Sequence, residues 1–292
     1  MGKIWLLVYA VGVMGAFFLL YYVWKRVHLE SEKPGIMEDE YDPMSVLEDL
    51  GRNFLSMIGD KDVELFFEID RNLPKRLYGD ADWIRRVIGR LMEISIKNTE
   101  QGYVKLLIKV YPVVENELIE MYVSVKDTGC GLPVSPRRLK KIDAGIRAKS
   151  EEGVGTEFWF SIRQKVVVPE RAVDIKCPEN WILPRLSARF SKPYQEDALM
   201  TLVNMYKLSY IPYDILQDVG LTVDYLFTDR EAFLELEQEM MECVREKTCI
   251  CVIENPLLGL DRLPGVTMVP CPFFSLNFCR LLNHEPVTTE LQ

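Results

Sequence analysis

Residues 123–133, VSVKDTGCGLP, place an aspartate at the end of an alternating apolar and polar run, followed by two glycines one residue apart. An ionised Asp127 carboxylate only accepts hydrogen bonds, so at a strand end it can take one from an exocyclic amine such as that of adenine. Gly129 and Gly131 lack a Cβ, which permits positive φ and lets a ligand approach the main chain. Taken alone, these residues equally describe an ordinary strand-to-loop turn in which the aspartate caps the bend. A second group with chemical capacity is Cys249 and Cys251, which flank Ile250 in a strand-like run. With only His28 and His284 available, a zinc site has little to build on, and free buried thiols are the simpler reading. The seven cysteines are odd in number and irregularly spaced, so they make no disulfide framework.

The elements that must position these residues follow from periodicity. Met44, Val46, Leu47, Leu50, Phe54, Leu55 and Ile58 recur at helix spacing. Val63, Leu65, Phe67 and Ile69 then alternate as a strand, and residues 83–96 form a second helix with Ile84, Val87, Ile88, Leu91, Met92 and Ser95 on one face. Residues 104–110, 118–125 and 158–162 read as further strands, giving a layer of helices on a sheet rather than a bundle. At 292 residues the chain has room for about two domains. Its net charge of −9, with basic residues scattered, argues against nucleic acid as a partner.

Residues 4–24, IWLLVYAVGVMGAFFLLYYVW, are uncharged over the length needed to cross a bilayer as a helix. Trp5, Tyr21, Tyr22 and Trp24 sit where interfacial aromatics belong. Lys25 and Arg26 follow, as expected of a retained anchor rather than a cleaved signal peptide. These charges, although opposed by Lys3 and the terminal amine, predict a single-pass membrane protein with its soluble part in the cytoplasm. Residues 29–43 are acidic and poor in apolar side chains and read as a juxtamembrane linker.

Three segments resemble one family, in the right order over residues 42–162. LPKRLYGDADWIRRVIGRLMEISIKNTEQGYVKLLIKV is similar to the N-box helix region of the ATP-binding domain of histidine kinases, and to its flanks. DTGCGLP resembles that family's G1 box, and EEGVGTEFWFSI its closing strands. The resemblance implies a Bergerat-type α/β sandwich over residues 44–166, and it turns the reading of 123–133 toward a nucleotide pocket. It assigns Asp127, Gly129, Gly131 and Thr156 to the adenine side.

The departures bear on activity. In the family, asparagines on the N-box helix hold the Mg²⁺ that bridges the phosphates; the matching positions here are Arg90 and Ile94. Neither supplies an oxygen to a hard cation. Asn98 lies one turn beyond Ile94 on the same helix face, where a helix-end role is the simpler reading. Between the G1 box and Ile146 only VSPRRLKKIDAG is available, too few residues for a lid, a second glycine loop and a helix. Its basic residues Arg137, Arg138, Lys140 and Lys141 read as a solvated helix face, with attraction of phosphates the sharper alternative. The phosphoacceptor histidine of the family sits on a helical hairpin that the short stretch before Met44 does not accommodate, and His28 reads as an interfacial anchor. ATP is therefore expected to bind, if at all, without Mg²⁺, and no residue is assigned a catalytic or metal-binding role.

Residues 167–287 resemble a receiver domain, a flavodoxin-like, doubly wound α/β unit, on the strength of its strand–helix rhythm. RAVDIKC is expected as its first strand, and Cys177, Pro178 and Glu179 as the site of the receiver's acidic pair. CVIENP is expected to end the third strand, putting Ile253 or Glu254 at the phosphoacceptor position, where a glutamate could imitate a phosphorylated aspartate. Cys271-Pro272 stands at the Lys-Pro position. SKPYQEDALMTLVNMYK fits either the tail of a collapsed extra receiver or the first helix of this one. With a tail at 288–292 and an anchor at 1–28, the chain reads as a membrane-anchored, catalytically degenerate relative of hybrid histidine kinases. Its expected partners are the membrane and two-component proteins. The rival readings are an active kinase or ATPase with unusual residues, and an adenine-nucleotide sensor without hydrolysis.

Overall fold

The computed structural model describes residues 38–59, 61–131, 145–176, 182–219, 222–236, 248–256 and 263–287. The apolar run at 4–24, His28, the basic cluster Arg137, Arg138, Lys140 and Lys141, and Cys177, Pro178 and Glu179 lie outside the described residues. Among the described residues no helix is long and apolar enough to cross a membrane.

Residues 38–171 build one mixed sheet with two helices on one face. In chain order the elements are β1 (Asp39–Tyr41), α1 (Pro43–Ile58), β2 (Asp62–Ile69), β3 (Pro74–Gly79), α2 (Ala81–Asn98), β4 (Gln101–Val114), β5 (Leu118–Asp127), β6 (Arg147–Glu151) and β7 (Gly155–Arg171). The strands lie in the order β1-β3-β7-β5-β4-β2, with β6 also on β7. Only β2 and β4 run parallel within this set, because α2 and β3 intervene between them. Both helices are capped by side chains that satisfy first-turn amides. Asp42 accepts from Met44 N–H at 2.8 Å, and Asp80 accepts from Trp83 N–H at 2.7 Å. The apolar face predicted for each helix is the one buried: Leu47, Leu50, Phe54, Ile88, Leu91 and Met92 pack on Leu65, Leu106, Val123 and Phe160. The linker expected at 29–43 contributes β1 to the sheet edge, and β7 runs on to Arg171, paired there with β3.

A second sheet follows, from β8 (Arg185–Arg189), α3 (Pro193–Tyr206), β9 (Ser209–Tyr210), α4 (Tyr213–Val219), β10 (Tyr225–Asp229), α5 (Arg230–Leu236), β11 (Cys249–Glu254) and β12 (Thr267–Pro270). All four pairings are parallel and the spatial order is β9-β8-β10-β11-β12. Numbered along this sheet the order is 2-1-3-4-5, the doubly wound order of flavodoxin-like folds. Alternate residues feed opposite faces, as a buried parallel strand requires. Tyr225, Phe227 and Cys251 pack with α3 and with the final helix α6 (Ser275–Leu282). Leu226, Ile250 and Val252 pack with Tyr213, Leu216, Phe233 and Leu236 of α4 and α5.

This order corrects two sequence expectations and decides between the alternatives of a third. RAVDIKC is not the first strand: residues 172–176 carry no strand, and the strand order starts at β8. CVIENP ends the fourth strand, not the third, and the third ends at Asp229. The ambiguous segment after Ser191 is α3, the first helix of this sheet. A short strand joins the second sheet to the first. β13 (Phe273–Phe274) leaves the second sheet after β12 and pairs in parallel with Phe66 and Phe67 of β2, extending the first sheet to eight strands.

Candidate functional site

Asp127 ends β5, opposite Val104 on one side and Thr156 on the other. Its side chain is buried, and Oδ1 accepts from Gly129 N–H and Thr156 N–H, each at 3.1 Å. Oδ2 is also buried and has no hydrogen-bond partner among the described residues, and the same holds for Ser95 Oγ on α2. Burial raises the proton affinity of the Asp127 carboxyl above the usual carboxylate range, against the pull of nearby Ser95 and the two amides. The Ser95 hydroxyl favours the ionised carboxylate as a donor does, although the pair does not reach the geometry of an ordinary hydrogen bond. A buried carboxylate oxygen with an open lone pair is an acceptor awaiting a donor. Thr156 supplies its amide to this carboxylate, while its hydroxyl stands 3.0 Å from Ser150 Oγ.

At both glycines the space a side chain would need is taken by main chain. A Cβ on Gly129 would stand 2.3 Å from the Asn98 carbonyl oxygen, and one on Gly131, at φ +77°, would stand 2.4 Å from that of Glu151. The close approach that requires glycine is made by the protein's own main chain. Asn98 itself closes α2, its carbonyl accepting from Cys130 N–H at 3.4 Å. Ser95 was visible in the sequence as a hydroxyl on an otherwise apolar helix face.

A second constellation lies where the strands of the second sheet end. Ser191, Asp229, Glu254 and Cys271 line a cleft of about 390 Å³, closed from the other side by Asp62, Glu64 and Leu65 of β2. Asp229 Oδ2 accepts from Ser191 N–H at 2.7 Å and from Ser191 Oγ at 2.8 Å, and Oδ1 accepts from Ala232 N–H at 2.8 Å. Glu254 receives a two-pronged contact from Arg230, Nε at 3.0 Å and Nη2 at 3.1 Å. The glutamate expected at the phosphoacceptor position is thus the charge partner of an arginine at the end of the neighbouring strand. Asp229 was missed because neither β8 nor the two-residue β9 was read as a strand, so the count ran one short at β10 even with RAVDIKC included.

No protein-family model matches the chain. Among curated proteins, it is 31% identical over 100 residues to hybrid signal transduction histidine kinase A of Dictyostelium discoideum, covering 32% of this chain and 5% of that protein. It is 23% identical over 158 residues to the sensor histidine kinase RcsC of Escherichia coli strain K12, covering 46% and 17%. With the histidine-protein kinase BarA of the same strain it shares 29% over 113 residues, covering 37% and 12%. The chain is a relative of the hybrid sensor histidine kinases. It spans between 5% and 17% of the length of these three kinases. Among solved structures, full-length ShkA in complex with AMPPNP superposes with a TM-score of 0.62 at 15% identity, covering 87% of this chain and 58% of that one. The likeness establishes a shared α/β fold.

Within this histidine kinase relative, the two N-box positions are committed elsewhere. Arg90 Nη1 donates to Glu93 Oε2 at 2.6 Å on the solvent side of α2. Ile94 packs against the hydrophobic core. Neither side chain offers an oxygen ligand, so the residues present do not fit a magnesium ion at these positions. At the first strand end of the second sheet, where a receiver's acidic pair would stand, the residues are Arg189, Phe190 and Ser191.

Proposed function

We propose that this chain is a two-component signalling protein that works through protein contacts, with an adenine-directed pocket that does not turn over ATP. The observation that carries the reading is the split between the two ends of the nucleotide site. Asp127 keeps a buried, open acceptor at Oδ2, whereas Arg90 and Ile94 are bound to Glu93 and to the core. Charge-assisted contacts to phosphate and metal are the strong ones in such a pocket, and their loss leaves only the weaker, neutral part of the recognition. Nucleotide titration with and without Mg²⁺ tests this directly. Weak binding of adenine nucleotides, unchanged by Mg²⁺ and without hydrolysis, is expected; micromolar binding that requires Mg²⁺ would overturn the reading in favour of an active kinase or ATPase.

The remaining parts of the proposal follow the same logic. Residues 4–24 anchor the chain in the membrane with the soluble units in the cytoplasm, supported by the length of the uncharged run and its aromatic flanks. Residues 38–171 form the kinase-like unit, five residues longer at its C-terminal end than the sequence reading has it, and the receiver-like unit follows up to 287. A second reading of the latter is favoured by Asp229, a carboxylate at the end of the third strand of a 2-1-3-4-5 sheet. That residue could accept a phosphoryl group even though the acidic pair that would hold a metal beside it is replaced. Incubation with acetyl phosphate and mass analysis separates the two: no adduct is expected, and an adduct lost in Asp229→Asn would establish a working acceptor.

A further inference from the structure

The second unit is held on the edge of the first sheet by more than β13. Lys192, at the start of α3, bonds Asp62 and stands 3.7 Å from Glu64 Oε1 on β2. Gln195 Nε2 donates to the same Glu64 oxygen at 2.9 Å. Tyr194 packs between Phe66 of β2 and Tyr103 of β4, with ring centroids 6.0 and 5.4 Å away. Glu64 is therefore a largely buried carboxyl at a contact between two units, in the cleft that also holds Asp229.

We propose that Glu64 is a proton-operated lock on this contact: protonated, it keeps the two units closed over Asp229, and ionised, it loosens them. The physical basis is the imbalance of charge around it. The charged groups of the cleft around Glu64 are Lys61 and Asp62 before it on the chain, Lys192 on α3, and Asp229, Arg230, Glu231 and Glu254 at the strand ends of the second sheet. Lys192 approaches it from α3 at 3.7 Å, but shares its charge with Asp62, whose carboxyl it pulls below the usual range. Asp62 on the same strand and Asp229 on β10 repel it. From the neighbouring strand it faces Tyr103, and from α3 also Tyr194 and Gln195. Arg230 and Glu254, at the far side of the cleft, are paired with each other. Burial, with the two carboxylates adding to it and Lys192 and Gln195 opposing it, pushes the Glu64 carboxyl up to about 7.

The sign follows by linkage. A carboxyl that titrates near 7 when closed and near its ordinary value when open takes up a proton on closing. Closure is thus strongest at low pH and weakens as pH rises through about 7, by at most a few hundred-fold in the closing equilibrium. Added negative charge at Asp229 would act against the ionised form in the same direction. This lock stands independently of whether nucleotide binds to the first unit.

The test uses the full chain in detergent micelles. Hydrogen exchange at the β13–β2 pairing is compared between the native protein and Glu64→Gln at matched pH, so that the intrinsic pH dependence cancels in the ratio. The ratio of native to variant rates is expected to rise several-fold between about pH 6 and about pH 8; a constant ratio would overturn the lock. Carboxyl ¹³C titration of Glu64 gives a second readout that needs no variant. A midpoint near neutrality supports the proposal and one at the ordinary carboxylate value sinks it. Lys192→Met should speed exchange at every pH, and unchanged exchange would remove Lys192 from the contact.

Discussion

Asp127 concentrates the tension between stability and recognition at a single side chain. Its buried carboxylate is satisfied on one oxygen only, so the fold tolerates a cost that a bound amine would offset. Asp127→Asn removes the charge while keeping the shape and both amide contacts to the oxygen. Its stability at neutral pH should lie within about 1 kcal/mol of the native protein, while any adenine-nucleotide binding falls. Because burial raises the Asp127 carboxyl, the native chain should gain stability relative to the variant as pH drops through its titration. Thermal melts across pH, compared for the two proteins, check the sign. Loss of binding with a collapsed melting temperature would instead mark Asp127 as purely structural. At the other site, Glu254 holds Arg230 by two hydrogen bonds with both side chains mostly buried. Glu254→Gln should therefore cost about 1–3 kcal/mol in denaturant melts, and an unaltered midpoint would contradict the pairing.

At the scale of elements, the turn after β5 depends on glycine because three backbone segments converge there. The Asn98 carbonyl at the end of α2 and the Glu151 carbonyl at the end of β6 occupy the space that side chains at Gly129 and Gly131 would need. Gly129→Ala is expected to lose about 2–3 kcal/mol from overpacking alone, and Gly131→Val more, since positive φ adds to the clash. Chemical denaturation measures both. A ligand-approach role for these glycines would predict the reverse, normal stability with lost binding. The helices themselves are locally determined: Asp42 and Asp80 cap them, and Pro43 stands in the first turn of α1.

For the whole molecule, the two sheets are joined by a two-residue strand, a charged contact and an aromatic cluster, with Arg280 and Glu48 adding an ion pair at 3.2 Å and Ser275 Oγ bonding the Ile69 carbonyl. Lys192 reaches both Asp62 and Glu64 across this contact, and its substitution should loosen the units without melting either core. The proposed anchor is tested at the same scale. The full chain should remain in the membrane fraction after alkaline carbonate washing, and removal of residues 1–28 should release it. Recovery of the full chain in the wash would eliminate the anchor.

The sequence by itself determined the two helices and the four longest strands of the first sheet. The 3.6-residue period of residues 44–58 and 83–96, and the aspartate–glycine run at 127–131, are short-range signals that survive in any context that buries one face. It also placed Ser95 on the buried helix face without revealing that its hydroxyl would stand unpartnered beside Asp127. What only the tertiary structure decided is long-range. Which strand is third in a parallel sheet depends on pairing between segments dozens of residues apart, and periodicity is blind to order, so Asp229 was hidden behind a miscounted strand while Glu254 took its place. The glycines carry the same lesson: their positions are written in the chain, but whether a ligand or the Asn98 and Glu151 carbonyls fill the space beside them depends on how distant segments converge. Glu64 is a polar residue on an alternating strand until Lys192 and Asp229 are folded against it, because a carboxyl's proton affinity is set by desolvation and neighbouring charge rather than by sequence neighbours.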